Sequence, residues 1–298
     1  MQSIRAPAPR DFAKLTLLGA IWASAFMCIE VALADFAPLA IAGWRIAIAT
    51  AALVPLVLLR REPWPRGART WGLILLAGAL YNAIPFTLIS WGQQFISSGM
   101  TAILMSSGPF AALVLSHFLT RDDRLTAFKL GAVLLGFAGV VVLIGAQAVS
   151  GGAANIGGSL AMVAAVSCYV LSSLVIRRIV GVSPLALSLA VLAGSCTYMV
   201  PIVAVVSDPF PELSGRGPLA ALVFLGLVPT AFAYILRIQI AQQVGAIFLS
   251  QVSYLIPPFG LFLSWLFLGQ VPAPSTYVAL VLILAGLIAS RYAARADR

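Results

Sequence analysis

Ser150-Gly151-Gly152-Ala153-Ala154-Asn155 carries no charge and separates two apolar runs, 127–146 and 156–178. Four apolar runs precede this pair, at 14–34, 38–60, 71–91 and 97–119, and four follow it, at 184–206, 217–238, 244–268 and 274–292. Each has about 20 residues, the length at which an α-helix crosses a hydrocarbon layer of ~30 Å. The gaps hold Pro, Gly and charge, as in Glu62-Pro63-Trp64-Pro65-Arg66-Gly67 and Asp208-Pro209-Phe210-Pro211. Such stretches stop helices and keep their backbone polar groups in water. Five spans on either side of residues 150–155 is an odd number. If the two halves share one fold, the second enters the membrane upside down relative to the first, with a binding site expected at the midplane between them. The sequence therefore predicts an all-α integral membrane protein of ten transmembrane helices in two inverted five-helix repeats.

Composition excludes water as the main solvent. The chain is 61% hydrophobic and 9% charged, with a mean hydropathy of +1.05, whereas soluble domains carry about a quarter charged residues. A net charge of +9 would suggest nucleic acid in a soluble protein. Here the cations sit beside apolar spans, which is the signature of topology, and no nucleic-acid partner is expected. With the amino terminus inside, sixteen of the eighteen Lys and Arg fall on one side, from Arg5, Arg10, Arg60 and Arg61 through Arg121, Arg124, Arg177, Arg178 and Arg237 to Arg298. Arg216 is left in an outer loop and Arg45 inside a span. Both termini are thus expected in the cytoplasm of a cell with a bacterial-type inner membrane. The corresponding divisions are a cytoplasmic segment 1–13, a first repeat 14–147, a linker 148–155, a second repeat 156–292 and a cytoplasmic tail 293–298. Ala23-Ser24-Ala25 has the form of a signal-peptidase site, but it lies inside a run reaching Leu33, so an uncleaved first span is expected. Cys28, Cys168 and Cys196 are scattered through apolar runs and read as small packing residues.

Glu30 and Arg45 stand inside the first and second spans, where an unpartnered charge is costly. Three readings are open. They can form an ion pair across the first hairpin, both can reach the outer interface, or Glu30 can carry a proton in an antiporter. Helical spacing also gathers Trp22 and Phe26 with Glu30, Tyr81 with Pro85 and the adjacent Asn82 and Phe86, and Thr101 with Met105 and Pro109 beside Ser106. In the second half it gathers Tyr169 with Ser172, Thr230 with Tyr234, and Gln251 with Tyr254 and Pro258. Polar groups facing lipid would lack partners, so these faces should look inward. The predicted substrate-binding residues are Trp22, Tyr81, Asn82, Thr101, Met105, Ser106, Tyr169, Tyr234, Gln251 and Tyr254. Such a lining suits an amphipathic small molecule with a flat apolar part and polar handles, such as an aromatic or other bulky amino acid. Pro85, Pro109, Pro229, Pro257 and Pro258 can kink their helices, as a rocking mechanism would require.

Enzyme chemistry finds little support. His117 is the single histidine, which excludes an HExxH zinc site, and no nucleotide-binding glycine pattern precedes a helix. Ser107 and His117 are about 15 Å apart along one helix, too far for a nucleophile and its base. No cofactor or metal is expected. Helices five and ten instead carry small-residue seams, Ala132, Gly136 and Val140, and Ala285, Gly286, Ala289 and Ser290, suited to close packing. A homodimer through such a seam and a monomer are both compatible with the sequence.

The two halves also echo each other in sequence. Gln93-Gln94 leads to Ser98-Gly99, Pro109-Phe110 and Ser116-His117-Phe118-Leu119, and Gln242-Gln243 leads to Gly245, Pro257-Pro258-Phe259 and Ser264-Trp265-Leu266-Phe267. On the span layout and these stretches, residues 14–292 resemble the drug/metabolite transporter superfamily in its ten-helix form with two EamA-type halves. Within it the likeness is to bacterial aromatic amino-acid exporters. Where members usually carry a Gly-Glu step after helices four and nine, this chain has Asp122-Asp123 and Gly269-Gln270. The resemblance implies export of amino acids and related metabolites by alternating access, with helices five and ten at the periphery. The alternatives are a same-fold carrier for other metabolites or drugs, and a membrane scaffold or channel.

Overall fold

The computed structural model describes residues 5–119 and 126–296. Its helices are α1 (Pro9–Ala32), α2 (Pro38–Leu59), α3 (Ala68–Gly92), α4 (Ser98–Leu115), α5 (Phe128–Ala146), α6 (Gly152–Ile176), α7 (Pro184–Val206), α8 (Arg216–Val244), α9 (Ala246–Leu268) and α10 (Pro274–Ala296). The first nine are long and apolar enough to cross a membrane, and α10 has a shorter apolar part, Pro274–Ser290. No strand occurs among the described residues. Arg121, Arg124, Arg298 and the Asp122-Asp123 step lie outside them.

Local chemistry sets the helix starts. Proline opens α1, α2, α7 and α10, where its missing N–H costs nothing and its fixed φ suits the first turn. The hydroxyls of Ser97 and Ser183 accept from the N–H groups of Met100 and Ala186, three residues on. Ahead of α1, Arg5 donates to both carboxylate oxygens of Asp11 at 2.6 and 2.7 Å. Asp11 also accepts from the Ala8 N–H at 2.8 Å, which secures the first turn.

Residues 150–155 are more helical than their composition suggests. Two helices abut there across a kink, and the departure from helical angles falls on Gly152, with φ 64° and ψ −149°. Glycine has no Cβ to clash there, and the flanking alanines favour helix.

Two pairs of matching defects appear. The third span of each half is widened into π-helix, over Ala79–Ala83 in α3 and Leu227–Phe232 in α8. Pro85 follows the first and Pro229 lies within the second, because a proline that cannot donate disturbs the helical ladder. The fourth span of each half is broken, α4 at Ser106-Ser107 and α9 at Ser250-Gln251.

Packing relates the halves. Exchanging α1 for α6, α2 for α7 and so on turns the α1–α8 contact into α6–α3, α1–α9 into α6–α4, and α2–α8 into α7–α3. The α2–α7, α4–α9 and α5–α10 contacts each pair a helix with its own counterpart. At α5–α10 a Cβ on Gly286 would stand 2.7 Å from the backbone nitrogen of Gly136. Ala132 and Val140 are buried in the same seam, so within the chain the small-residue stripes are spent on each other. Large apolar side chains such as Leu59, Phe137, Val205 and Phe267 cover the outer faces. Lipid tolerates such a surface, whereas water does not.

Candidate functional site

Construction of the site begins at Pro229. It has no N–H to offer the Leu225 carbonyl four residues back, so the Thr230 hydroxyl donates to that carbonyl at 2.9 Å. The same Thr230 oxygen accepts from Nε of Arg45 at 2.8 Å. A helix defect in the second half thereby fixes a guanidinium from the first. Its central carbon lies 3.7 Å from the centroid of the Phe86 ring, a cation–π contact made in a desolvated setting. Arg45 is 7% exposed.

An aromatic cluster adjoins it. Tyr81 of α3 meets Tyr169 of α6 edge-on with centroids 5.3 Å apart, and Tyr234 of α8 at 5.7 Å. The Tyr81 hydroxyl accepts from Arg237 Nη1 at 2.9 Å, and the Arg237 guanidinium sits 5.5 Å from the Tyr81 ring centroid. Behind the wall, the Tyr234 hydroxyl donates to Asn82 Oδ1 at 2.8 Å, and Asn82 Nδ2 donates to Ser195 at 3.0 Å. Asn82 is fully buried and orients Tyr234.

These rings enclose a cavity of about 530 Å³ shared by the two halves. Trp22, Ala25 and Phe26 of α1, Arg45 of α2, Tyr81, Phe86 and Ile89 of α3 and Met105 of α4 border it on one side. Tyr169, Ser173 and Ile176 of α6, Pro229, Tyr234 and Arg237 of α8, and Ala246, Leu249, Ser250, Val252 and Ile256 of α9 border it on the other. Arg45 and Arg237 are the charged groups among the described lining residues, and no carboxylate accompanies them.

The cavity has one open and one closed end. Exposed Ser173, Ala246 and Ser250 border it where α6 ends and α9 begins, at the end of the bundle that carries the amino terminus. At the opposite end Glu30 accepts from the Ser98 N–H at 2.9 Å, at the first turn of α4, and from the Gln270 amide. Ser98 donates to Ser264 at 3.1 Å, and Ser264 donates to Gln270. Gln93 donates to the Phe26 carbonyl at 2.8 Å, and Trp44 donates to the Pro209 carbonyl at 2.7 Å. The last contact, like the Glu30 cluster, joins the two halves.

Of the three readings open for Glu30 and Arg45, the ion pair between them is not formed. Glu30 faces the positively polarised amino terminus of α4, while Arg45 turns to the hydroxyl that Pro229 makes available. Of the other predicted residues, Trp22, Tyr81, Met105, Tyr169 and Tyr234 border the cavity. Asn82, Thr101, Ser106, Gln251 and Tyr254 do not. Thr101 and Ser106 donate to carbonyls of their own helix, and Tyr254 donates to the Leu287 carbonyl of α10 at 3.0 Å. Gln251 stands in the break of α9. Arg237 is the main lining residue that the sequence does not reveal, because at the end of the apolar run 217–238 it reads as one more cation of the cytoplasmic side. The helix continues to Val244, and Thr230, Tyr234 and Arg237 recur at i, i+4 and i+7, a spacing that shares one face.

The EamA-like transporter family model matches residues 13–145 and 156–292. A protein of Streptantibioticus cattleyicolor named "Probable terminal-alkyne amino-acid exporter" is 27% identical, over 92% of this chain and 91% of its own. A "S-adenosylmethionine/S-adenosylhomocysteine transporter" of Chlamydia trachomatis is 26% identical over 89% of this chain and 84% of its own. A protein of known crystal structure shares the fold with a TM-score of 0.68 at 20% identity, covering 98% of this chain and all of its own. With both halves matched, the chain belongs to the EamA-like transporter family and is a multi-pass membrane transporter.

Proposed function

We propose that the protein exports aromatic or other bulky neutral amino acids and related metabolites by alternating access. The observation that carries this reading is the cavity between the halves, with Tyr81, Tyr169, Tyr234, Trp22 and Phe86 around two guanidiniums. A flat side chain packs on the rings, an ammonium is attracted to their faces, and a carboxylate finds positive charge. The amino-acid exporter of Streptantibioticus cattleyicolor supports the same class of solute. With both termini in the cytoplasm, as the Lys and Arg distribution predicts, the open end receives cytoplasmic solute and the Glu30 cluster bars the outside.

The test uses purified protein in liposomes preloaded with unlabelled phenylalanine. Saturable accumulation of labelled phenylalanine against the preload is expected. A flux that rises linearly with concentration indicates a channel, and absence of flux removes the amino-acid reading. Competition by S-adenosylmethionine in the same assay measures how far related metabolites share the site.

A further inference from the structure

We infer that Arg45 is the subsite for the solute's carboxylate, so that this cavity selects solutes bearing an anionic oxygen group over amines of the same shape. This rests on the amino-acid reading above and assigns one end of the solute to one residue.

Three observations carry it. First, the guanidinium is held at two points, by Thr230 on Nε and by Phe86 against its face. That leaves Nη1 and Nη2, which have no acceptor among the described residues and are not sealed from the cavity that Arg45 borders. Two adjacent N–H donors in one plane match the two oxygens of a carboxylate. Secondly, an arginine this deep in a membrane protein ordinarily pairs with an acid. The acid nearest in sequence within a span, Glu30, is bonded instead to Ser98 and Gln270. The missing counter-ion is therefore one that arrives with the solute. Thirdly, Arg237 adds charge of the same sign toward the open end, so the charged groups of the lining draw an anionic group inward. The half-buried Arg237 is already bonded to Tyr81, and it is the approach rather than the endpoint.

The experiment compares 3-phenylpropionate, a ring with a carboxylate and no amine, with phenethylamine, a ring with an amine and no carboxylate. Binding to the full-length protein in detergent is read by thermal shift and by tryptophan fluorescence, to which Trp22 in the wall contributes. Wild type should bind 3-phenylpropionate at least about 10-fold more tightly than phenethylamine, and Arg45→Gln should lower 3-phenylpropionate affinity by about 10- to 100-fold and abolish the preference, as loss of a charge-assisted pair entails. Arg45→Lys should fall between, because a point charge replaces the fork. Removal of an unpaired buried charge should leave the melting temperature of Arg45→Gln equal or higher. If that variant does not fold, the wild-type preference and Arg45→Lys decide. The inference is overturned if wild type binds the two probes equally or binds neither, or if Arg45→Gln keeps the preference. Phenylalanine counterflow separates the two claims. Flux without discrimination leaves the exporter and removes the subsite, whereas discrimination without flux does the reverse.

Discussion

At Thr230 one hydroxyl answers two needs, the Leu225 carbonyl left open by Pro229 and the Nε of an arginine from the other half. Thr230→Val keeps the shape and deletes both bonds. It should destabilise the protein by about 1–3 kcal/mol, since a buried carbonyl and a charged donor are left unmet. A lower melting temperature in detergent, restored by Thr230→Ser, is the expected record, and an unchanged one would show that neither bond matters. The aromatic part of the site was readable in the sequence, because Tyr81, Tyr169, Tyr234 and Trp22 are large amphipathic groups at helical spacing. What the sequence could not convey is which polar group meets the cavity and which meets a neighbour. Asn82 and Tyr81 are adjacent, yet one is walled in behind Tyr234 and the other is part of the lining. The Glu30–Arg45 pairing failed for a related reason. Hairpin register suggests facing positions for the two, but a helix terminus and a threonine on other elements, distant in sequence, are the partners they meet.

Among the elements, α3 and α8 each set a cavity residue within a widened turn, Tyr81 in the first and Pro229 in the second. Their prolines were legible as kinks. The accompanying π-turns were not, because one added residue per turn barely alters a hydrophobic pattern. The widened turn in α8 matters because it holds Pro229 and Thr230 where α2 presents Arg45. Pro229→Ala gives residue 229 an N–H for the Leu225 carbonyl and allows the helix to close. The protein should gain stability of roughly 1–3 kcal/mol while transport slows severalfold, as Thr230 turns from Arg45 and the helix loses its bend. Melting temperature and counterflow rate measured on one preparation test this, and a fall in both would mean that the widened turn is needed for folding. The small-residue stripes of α5 and α10 were legible as packing seams, but that Gly136 and Gly286 meet each other rather than a second copy was not, because a stripe does not name its partner.

In the whole molecule, an even number of spans puts both termini at one end, and that end is also the open end of the cavity. Its closed end is held by few groups, with Glu30, Ser98, Ser264 and Gln270 as the cluster joining α1, α4 and α9. A carrier that alternates must break this cluster when it opens the other way, because α1 and α4 belong to one half and α9 to the other. Glu30→Gln replaces a carboxylate that accepts two hydrogen bonds by an amide with one acceptor oxygen, so it should shift the population toward the state open at that end. Thiol labelling in oriented vesicles reads the shift once Cys28, Cys168 and Cys196 are replaced by Ala. With a membrane-impermeant maleimide, Ser250→Cys should react from the side of the termini and be protected by phenylalanine. Ala34→Cys, just beyond α1 at the closed end, should serve as an accessible control from the opposite side. Phe26→Cys, buried on the cavity wall below the Glu30 cluster, should react from the side of the termini in the parent and gain reactivity from the opposite side when Glu30→Gln is added. Equal reactivity of Phe26→Cys from that opposite side with and without Glu30→Gln would mean that the cluster does not hold the end shut, and that closure resides in the apolar contacts of α1 with α4 and α9.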